Sequence, residues 1–83
     1  MEFLAKVYVI LKSTVNDPQG LTILAGLNSL GFQSVESVRS GKYWEIKVQE
    51  EDQQKAEVSV SEMCSRLLAN PVIEKFTFEV DPV

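Results

Sequence analysis

Apolar residues recur at every second position along the first segment of the chain, from Phe3 to Lys12. Side chains on a β-strand point alternately to opposite faces, so this period of two predicts a strand with one face in the core. The last segment, Ile73 to Val80, shows the same alternation. We therefore expect the first and last strands to pair and to close one core. The apolar faces are Phe3, Ala5, Val7, Val9 and Leu11 in the first strand, and Phe76, Phe78 and Val80 in the last.

A first helix is predicted directly after the first strand. Asp17 is a favoured N-cap residue, and Pro18 fits the first helical position, where a missing N–H costs nothing. Gly31 suits the left-handed residue that ends many helices. Between these limits an apolar stripe recurs at helical spacing: Ile23, Leu24, Leu27 and Leu30.

A second helix is predicted before the last strand. Either Asp52 or Ser59 can act as its N-cap, because Ser59 and Glu62 also match a capping box. Its apolar stripe is Ala56, Val60, Met63 and Leu67, with Cys64 beside it. The helix is expected to end at Asn70-Pro71, since the residue before a proline disfavours the helical conformation.

Two strands are predicted between the helices. The first runs from Gln33 to Arg39, and Ser40-Gly41 is the expected two-residue hairpin turn. In the next strand Trp44, Ile46 and Val48 alternate with polar positions. The order β-α-β-β-α-β predicts an α+β, ferredoxin-like fold, with a four-stranded antiparallel sheet and two helices on one face. Residues 1–83 are expected to form one domain.

Composition limits how this small domain can be stabilised. With 83 residues it buries a modest share of its surface, and a lone cysteine with no histidine excludes an intrachain disulfide and an ordinary zinc site. The remaining ways to stabilise the domain are oligomerisation and docking on a larger protein. The net charge of −4 argues against nucleic acid. No membrane-spanning run or signal peptide is visible, so no membrane association and a cytoplasmic location are expected.

Catalytic machinery is not evident in the sequence. Nucleophilic catalysis through histidine is excluded, and Cys64 on the apolar stripe is expected to be a buried structural thiol. No phosphate-binding loop is present, and the acidic residues lie in solvated runs. The sequence therefore predicts a non-catalytic module that binds no metal or cofactor itself.

Three segments are candidates for binding. Asp17 and Gln19, in “DPQG”, stand at a helix N-terminus that either holds an anion or is simply capped. Arg39 and Lys42 flank the predicted hairpin turn, with Tyr43 and Trp44 adjacent; they either engage an acidic or phosphate-bearing partner or form an ordinary basic turn. The open sheet face, expected to be a contact surface, carries Leu4, Tyr8, Ile10, Tyr43 and Ile73.

With these segments in view, the chain resembles the PurS family. The matching stretches are “KVYVILK”, “DPQG”, “LNSLGF”, “VRSGKYWEIKV” and “EMCSRLLANPVIEKFTFEV”, which cover nearly the whole chain. The combination is specific, although no single stretch is. This chain departs from the family pattern in “QEEDQQKAEVSVS”, the region in which the start of the second helix varies within the family.

The resemblance implies a role in de novo purine synthesis. PurS is the small subunit of bacterial and archaeal phosphoribosylformylglycinamidine (FGAM) synthase, which converts formylglycinamide ribonucleotide, glutamine and ATP to FGAM. In that complex the PurL subunit uses ATP and magnesium, and the PurQ subunit releases ammonia from glutamine. PurS is implied to have no active site, to form a homodimer or tetramer, and to hold PurL and PurQ together while supporting ammonia transfer.

A second interpretation is an ACT-like regulatory domain that binds amino acids. ACT domains share the β-α-β-β-α-β order. They often carry an Asp-x-Pro-Gly-type turn after the first strand, which “NDPQGL” loosely resembles.

Overall fold

The computed structural model describes all 83 residues and contains three strands and two helices. A single π-helical turn, Cys64–Leu68, extends the second helix. The elements, in chain order, are β1 (Glu2–Leu11), α1 (Pro18–Ser29), β2 (Gly41–Gln49), α2 (Gln53–Met63) and β3 (Glu74–Pro82).

The sheet is antiparallel, with strand order β2-β1-β3. The predicted pairing of the first and last strands is confirmed. At the centre of the sheet Val7 lies opposite Trp44 on β2 and opposite Phe78 on β3. Since residues directly opposite each other share a face, Trp44 and Phe78 point to the same side as the buried Val7.

The core lies between the inner face of the sheet and α2. The central strand β1 contributes the fully apolar face that its alternation predicted, and α2 lies over β1 and β3. The buried residues of this core are Phe3, Ala5, Val7, Val9, Ala56, Val60, Cys64, Ala69 and Val80. On the inner face of β2, Ile46 and Val48 are half-buried against this core, whereas Trp44 is exposed.

Local hydrogen bonds determine where α2 begins and where it ends. The carboxylate of Asp52 accepts from the backbone N–H of Lys55 at 2.8 Å, so Asp52 is the N-cap and the alternative start at Ser59 is wrong. At the other end the N–H of Ala69 donates to the carbonyl of Cys64 at 3.0 Å, which widens the last turn into a π turn. The chain then turns at Asn70-Pro71, as predicted.

The limits of α1 also follow the prediction. Asp17 is the N-cap and Pro18 occupies the first turn. Gly31 has φ +99°, a conformation that residues with a Cβ rarely adopt, and it directs the chain out of the helix.

The placement of α1 differs from the prediction that both helices cover one face. α1 points away from the sheet, and Gly20 is its one buried residue. A ten-residue strand is about 33 Å long and a twelve-residue helix about 18 Å. Laid end to end, these lengths account for the 50 Å long axis of the molecule.

The predicted strand from Gln33 to Arg39 is also wrong, and with it the four-stranded sheet and the hairpin at Ser40-Gly41. Residues 34–39 form no backbone–backbone hydrogen bond, because they return along the protruding helix, away from any strand. Val35 and Val38 are three residues apart and cannot share a strand face. Gly41 instead begins β2, opposite Ile10. Residues 18–40 thus form an arm, made of α1 and this return segment.

Candidate partner interface

Most of the predicted contact residues surround one end of the sheet, where β1 finishes and β2 begins. We call this the sheet end and define it by Asp17, Arg39, Ser40, Lys42 and Glu74. The chain enters and leaves the arm here. Gln19, also predicted, lies exposed in the first turn of α1.

Asp17 is buried, and its carboxylate is fully engaged at the sheet end. It accepts from the N–H of Gly20 at 3.0 Å, and from the N–H and hydroxyl of Ser40 at 2.6 and 2.9 Å. These hydrogen bonds, led by the one from the Ser40 backbone, hold the pKa of Asp17 below its ordinary value. An anion at this helix terminus would meet the Asp17 carboxylate, so the geometry favours the capping interpretation over the anion site.

Arg39 holds the loop that follows β1. Its Nη2 donates to the carbonyl oxygens of Lys12 and Val15, at 3.0 and 2.7 Å. The side chain is therefore part of the sheet end, and does not stand at the tip of a hairpin as predicted. It remains exposed and lies beside Asp17.

Lys42 joins the start of β2 to the start of β3. Its Nζ lies 3.4 Å from a carboxylate oxygen of Glu74, whose other oxygen accepts from the N–H of Asn70 at 2.7 Å. The bond from the Asn70 backbone, and then Lys42, lower the pKa of Glu74. More than half of the Lys42 side chain remains exposed, so it is still available to a partner.

The open face of the sheet carries the predicted aromatic contacts. The ring centroids of Tyr8 and Tyr43 are 5.2 Å apart, with an angle of 40° between the ring planes. Ile10 lies two residues further along β1, on the same face of the sheet. The Tyr43 hydroxyl donates to Glu45 at 2.7 Å, which raises the pKa of Tyr43 to about 12. All three side chains are exposed, so this face offers apolar and aromatic surface next to the cations of the sheet end.

Sequence reasoning missed the roles of two residues of this region. Ser40 and Glu74 bind groups that are distant in sequence, and nothing in their immediate sequence indicates those partners. Trp44, predicted as a strand residue beside the basic turn, is 41% exposed on the inner face of β2. The sequence contained one signal for this surface, which is the tryptophan itself. In a folded protein a side chain of this size is usually covered by other residues.

Groups able to perform chemistry are not gathered anywhere in the molecule. No cluster of three or more acidic, cysteine or histidine side chains stands close enough to hold a metal ion. Cys64 is fully buried, and burial raises the pKa of its thiol. No helix is long and apolar enough to span a membrane.

Comparison with known proteins identifies the family. The family model for PurS, phosphoribosylformylglycinamidine (FGAM) synthase, matches residues 4–82. The PurS subunit of the Bacillus subtilis synthase is 46% identical over 78 residues, which cover 94% of this chain and 92% of that protein. The chain belongs to the PurS family.

Solved PurS structures agree with the fold. Thermus thermophilus PurS superposes with a TM-score of 0.90 at 36% identity, covering 100% of this chain and 99% of the other. A chain in a structure of PurLQS from Thermotoga maritima also gives a TM-score of 0.90, at 32% identity, and covers 98% of this chain and 99% of that one. The PurS fold thus accounts for the whole molecule, including the protruding arm.

Proposed function

We propose that this PurS subunit acts within an FGAM synthase as a non-catalytic connector between the synthetase subunit PurL and the glutaminase subunit PurQ. The observation that carries the proposal is the match of almost the whole chain both to the PurS family and to a chain of a PurLQS structure. The reaction served is the conversion of formylglycinamide ribonucleotide, glutamine and ATP to FGAM, with ammonia passing between the partners.

The chemistry of the chain supports a connecting role. The sequence contains no histidine, and its single thiol is buried within the core. ATP and magnesium are assigned to PurL and glutamine hydrolysis to PurQ, so this chain binds no cofactor of its own. The cytoplasm, where a free thiol remains reduced, is the compartment proposed for the complex.

Docking on the partners is assigned to the sheet end and the adjoining open face. The exposed candidates at the sheet end are Gln19, Arg39 and Lys42, and those on the open face are Tyr43, Tyr8 and Ile10. The buried Asp17 contributes by holding the backbone around them. Cations and aromatic side chains together are common where interfaces draw most of their binding energy. No observation favours the alternative of an ACT-like amino-acid-binding domain.

Self-association is the second part of the proposal. Eleven of the 83 residues are buried, a small core for a chain of this length. A homodimer or a tetramer would cover the apolar surface that a single chain leaves exposed.

Reconstitution tests the connecting role. Purified PurL and PurQ are titrated with this chain, and FGAM formation is measured with glutamine and, separately, with ammonium chloride. We expect glutamine-dependent synthesis to rise and saturate with the chain, while ammonium-dependent synthesis by PurL stays the same. The reason is that a connector is needed only when ammonia must come from the other subunit.

A matched control uses the heat-denatured chain at the same concentration. Glutamine-dependent synthesis that is equally fast with and without the native chain would contradict the proposal. Turnover of glutamine or ATP by the chain alone, persisting through a second purification route, would contradict its non-catalytic part.

A further inference from the structure

Most of the positively charged side chains of this chain have no carboxylate partner. Lys42, Lys55 and Arg66 form the three ion pairs of the structure. The chain contains eight lysine and arginine residues, so five of them are unpaired and available to an anionic ligand. The unpaired cations are Lys6, Lys12, Arg39, Lys47 and Lys75.

Three of the unpaired cations lie together where β1 ends. Lys75 on β3 is opposite Ile10 on β1. The N–H of Lys12 donates to the carbonyl of Ile73 at 2.8 Å, which continues the pairing of the two strands by one residue. Because faces alternate, Lys12 shares the open face of the sheet with Ile10 and Lys75. The Nη2 of Arg39 lies 3.0 Å from the carbonyl oxygen of Lys12. We call Lys12, Arg39 and Lys75 the basic patch.

The basic patch has hydrogen-bond donors to spare. Arg39 uses only Nη2 for its bonds to the loop after β1, which leaves the other three N–H groups of the guanidinium free. Both lysines of the patch are exposed. The carboxylate beside Arg39 is that of Asp17, which is buried and already accepts from Gly20 and Ser40. The patch can therefore bind several oxygens of one anionic group.

A small apolar cleft adjoins the basic patch on the open face. Its volume is about 260 Å³, just below the about 300–1,000 Å³ of most ligand pockets, so it suits one ring system of a small ligand. The cleft contains Tyr8 of the aromatic pair, whose ring centroid is 5.2 Å from that of Tyr43. The residues that line it are Tyr8, Ile10, Lys75, Phe76 and Thr77.

The order of side chains along β1 gives this area a direction. Lys12 stands at one end, and Tyr8 lies about 13 Å back along the strand. The next residue on the same face, Lys6, is flanked by the acidic Glu45 on β2 and Glu79 on β3. These carboxylates repel an anion, whereas the basic patch attracts it. A ligand that fits is therefore aromatic at one end and anionic at the other.

We propose that this area binds a nucleoside phosphate, with the base in the cleft against Tyr8 and the phosphates on the basic patch. Any base can stack on an aromatic side chain, and lysine and arginine bind phosphate oxygens through charge-assisted hydrogen bonds. A long nucleic acid fits less well, because it would meet Glu45 and Glu79 and a chain of net charge −4. The site requires neither PurL nor PurQ and goes beyond the connecting role proposed above.

Titration of the whole chain with ADP tests the site, without magnesium and at constant ionic strength. Two-dimensional NMR follows the backbone N–H signals. We expect ADP to shift the signals of residues 8–12 and 75–77 and to leave those of α2 unchanged. Adenosine and pyrophosphate, titrated separately, should each bind more weakly than ADP, because each supplies only one half of the ligand.

Variants separate the two halves of the site. Tyr8→Ala should weaken ADP binding by about tenfold and leave pyrophosphate binding unchanged, because only the base stacks. Tyr8→Phe keeps the ring and is the matched control. Lys75→Ala should weaken binding of both ADP and pyrophosphate several-fold, more so at low salt. Lys55→Ala, which removes a cation of α2, should change neither.

Four results would overturn the proposal. The first is the absence of shifts with millimolar ADP. The second is pyrophosphate that binds as tightly as ADP, with ADP binding unaffected by Tyr8→Ala, which would leave an anion site only. The third is ribose 5-phosphate that binds as tightly as ADP, which would leave no role for the base. The fourth is a single-stranded oligoadenylate that binds far more tightly than ADP at the same salt, which would make the area a nucleic-acid surface. All titrations use this chain alone, so none of these results contradicts the connecting role.

Discussion

The carboxylate of Asp17 accepts hydrogen bonds from both the backbone N–H and the hydroxyl of Ser40, 23 residues further along the chain, at 2.6 and 2.9 Å. The same carboxylate caps α1 through Gly20. One side chain therefore fixes where the arm leaves the sheet and where it returns. The predictions on the arm and the sheet end depend on this relationship.

Replacing Asp17 should weaken the fold in a pH-dependent way. The pKa of Asp17 is lowered in the folded chain, so its stabilising effect is present above the ordinary carboxyl pKa of about 3.9. The effect is lost as the pH falls below that value, through the lowered folded pKa. Asp17→Asn keeps one acceptor oxygen for the N–H of Gly20 but loses the charge and an acceptor for Ser40. We expect it to reduce the melting temperature by roughly 4–8 °C at pH 7, the size typical of one lost hydrogen bond in a small domain.

The measurement is thermal unfolding between pH 7 and pH 2.5 at one chain concentration, because association also shifts melting temperatures. Asp81→Asn, at an exposed position of β3, serves as the control and should have little effect. A difference between the Asp17 variant and the unmodified chain that stays constant down to pH 2.5 would contradict the role of the charge.

The two glycines of α1 should respond oppositely to alanine. Gly26 faces open space, so Gly26→Ala should stabilise the chain by about 0.5–1 kcal/mol through helix propensity. Gly20→Ala gains the same propensity, but its Cβ collides with the carbonyl oxygen of Val38, which is backbone and cannot easily move. We expect a net loss of about 1–3 kcal/mol. Chemical denaturation of both variants measures this, and a stabilised Gly20→Ala chain would show that the return segment is free to move.

Replacing Arg39 should lower the stability of the fold more than replacing Lys42. Arg39→Ala removes two hydrogen bonds to the loop after β1 and should lower stability by about 1 kcal/mol. Lys42→Ala removes one ion pair with Glu74, in which the Lys42 side chain is 56% exposed and that of Glu74 12%. Because Glu74 keeps its hydrogen bond from the N–H of Asn70, we expect a change in stability of less than about 1 kcal/mol. Urea unfolding of each single variant gives both values. Equal and large losses would mean that the Lys42 pair is stronger than its exposure implies.

The same two cations should matter for docking on PurL or PurQ. We expect the double change Arg39→Ala with Lys42→Ala to raise the concentration of chain needed for half-maximal glutamine-dependent synthesis. The increase should be greater at low salt, where the attraction between charges is least screened. Arg39→Lys with Lys42→Arg keeps both charges and is the control. An unchanged half-saturation in the alanine variant would move the docking surface to the open face or to residues 16–20.

Cys64 should prove to be structural. Its thiol is fully buried against the sheet, so Cys64→Ala should lower stability by about 1 kcal/mol and leave reconstituted synthase activity intact. In the native chain the thiol should also resist a thiol reagent until the chain unfolds. Lost activity in a fully assembled complex would reveal a chemical role for this residue.

The sequence determined the features that depend on neighbouring residues. Alternation along Phe3 to Leu11 specified the central strand and its buried face. Asp17-Pro18 and Gly31 specified both ends of α1, because caps act within one turn of a helix. The stretches quoted from the sequence were also sufficient to recognise the family.

Only the tertiary structure decided where α1 and the return segment lie. The apolar stripe of α1 indicated that the helix must be covered, but the same stripe suits the sheet of its own chain or that of another. The choice depends on contacts between distant residues, such as Asp17 with Ser40 and Lys42 with Glu74, that no local pattern encodes. The arm therefore stands clear of its own sheet, and the hairpin expected at Ser40-Gly41 becomes the point where that arm is anchored.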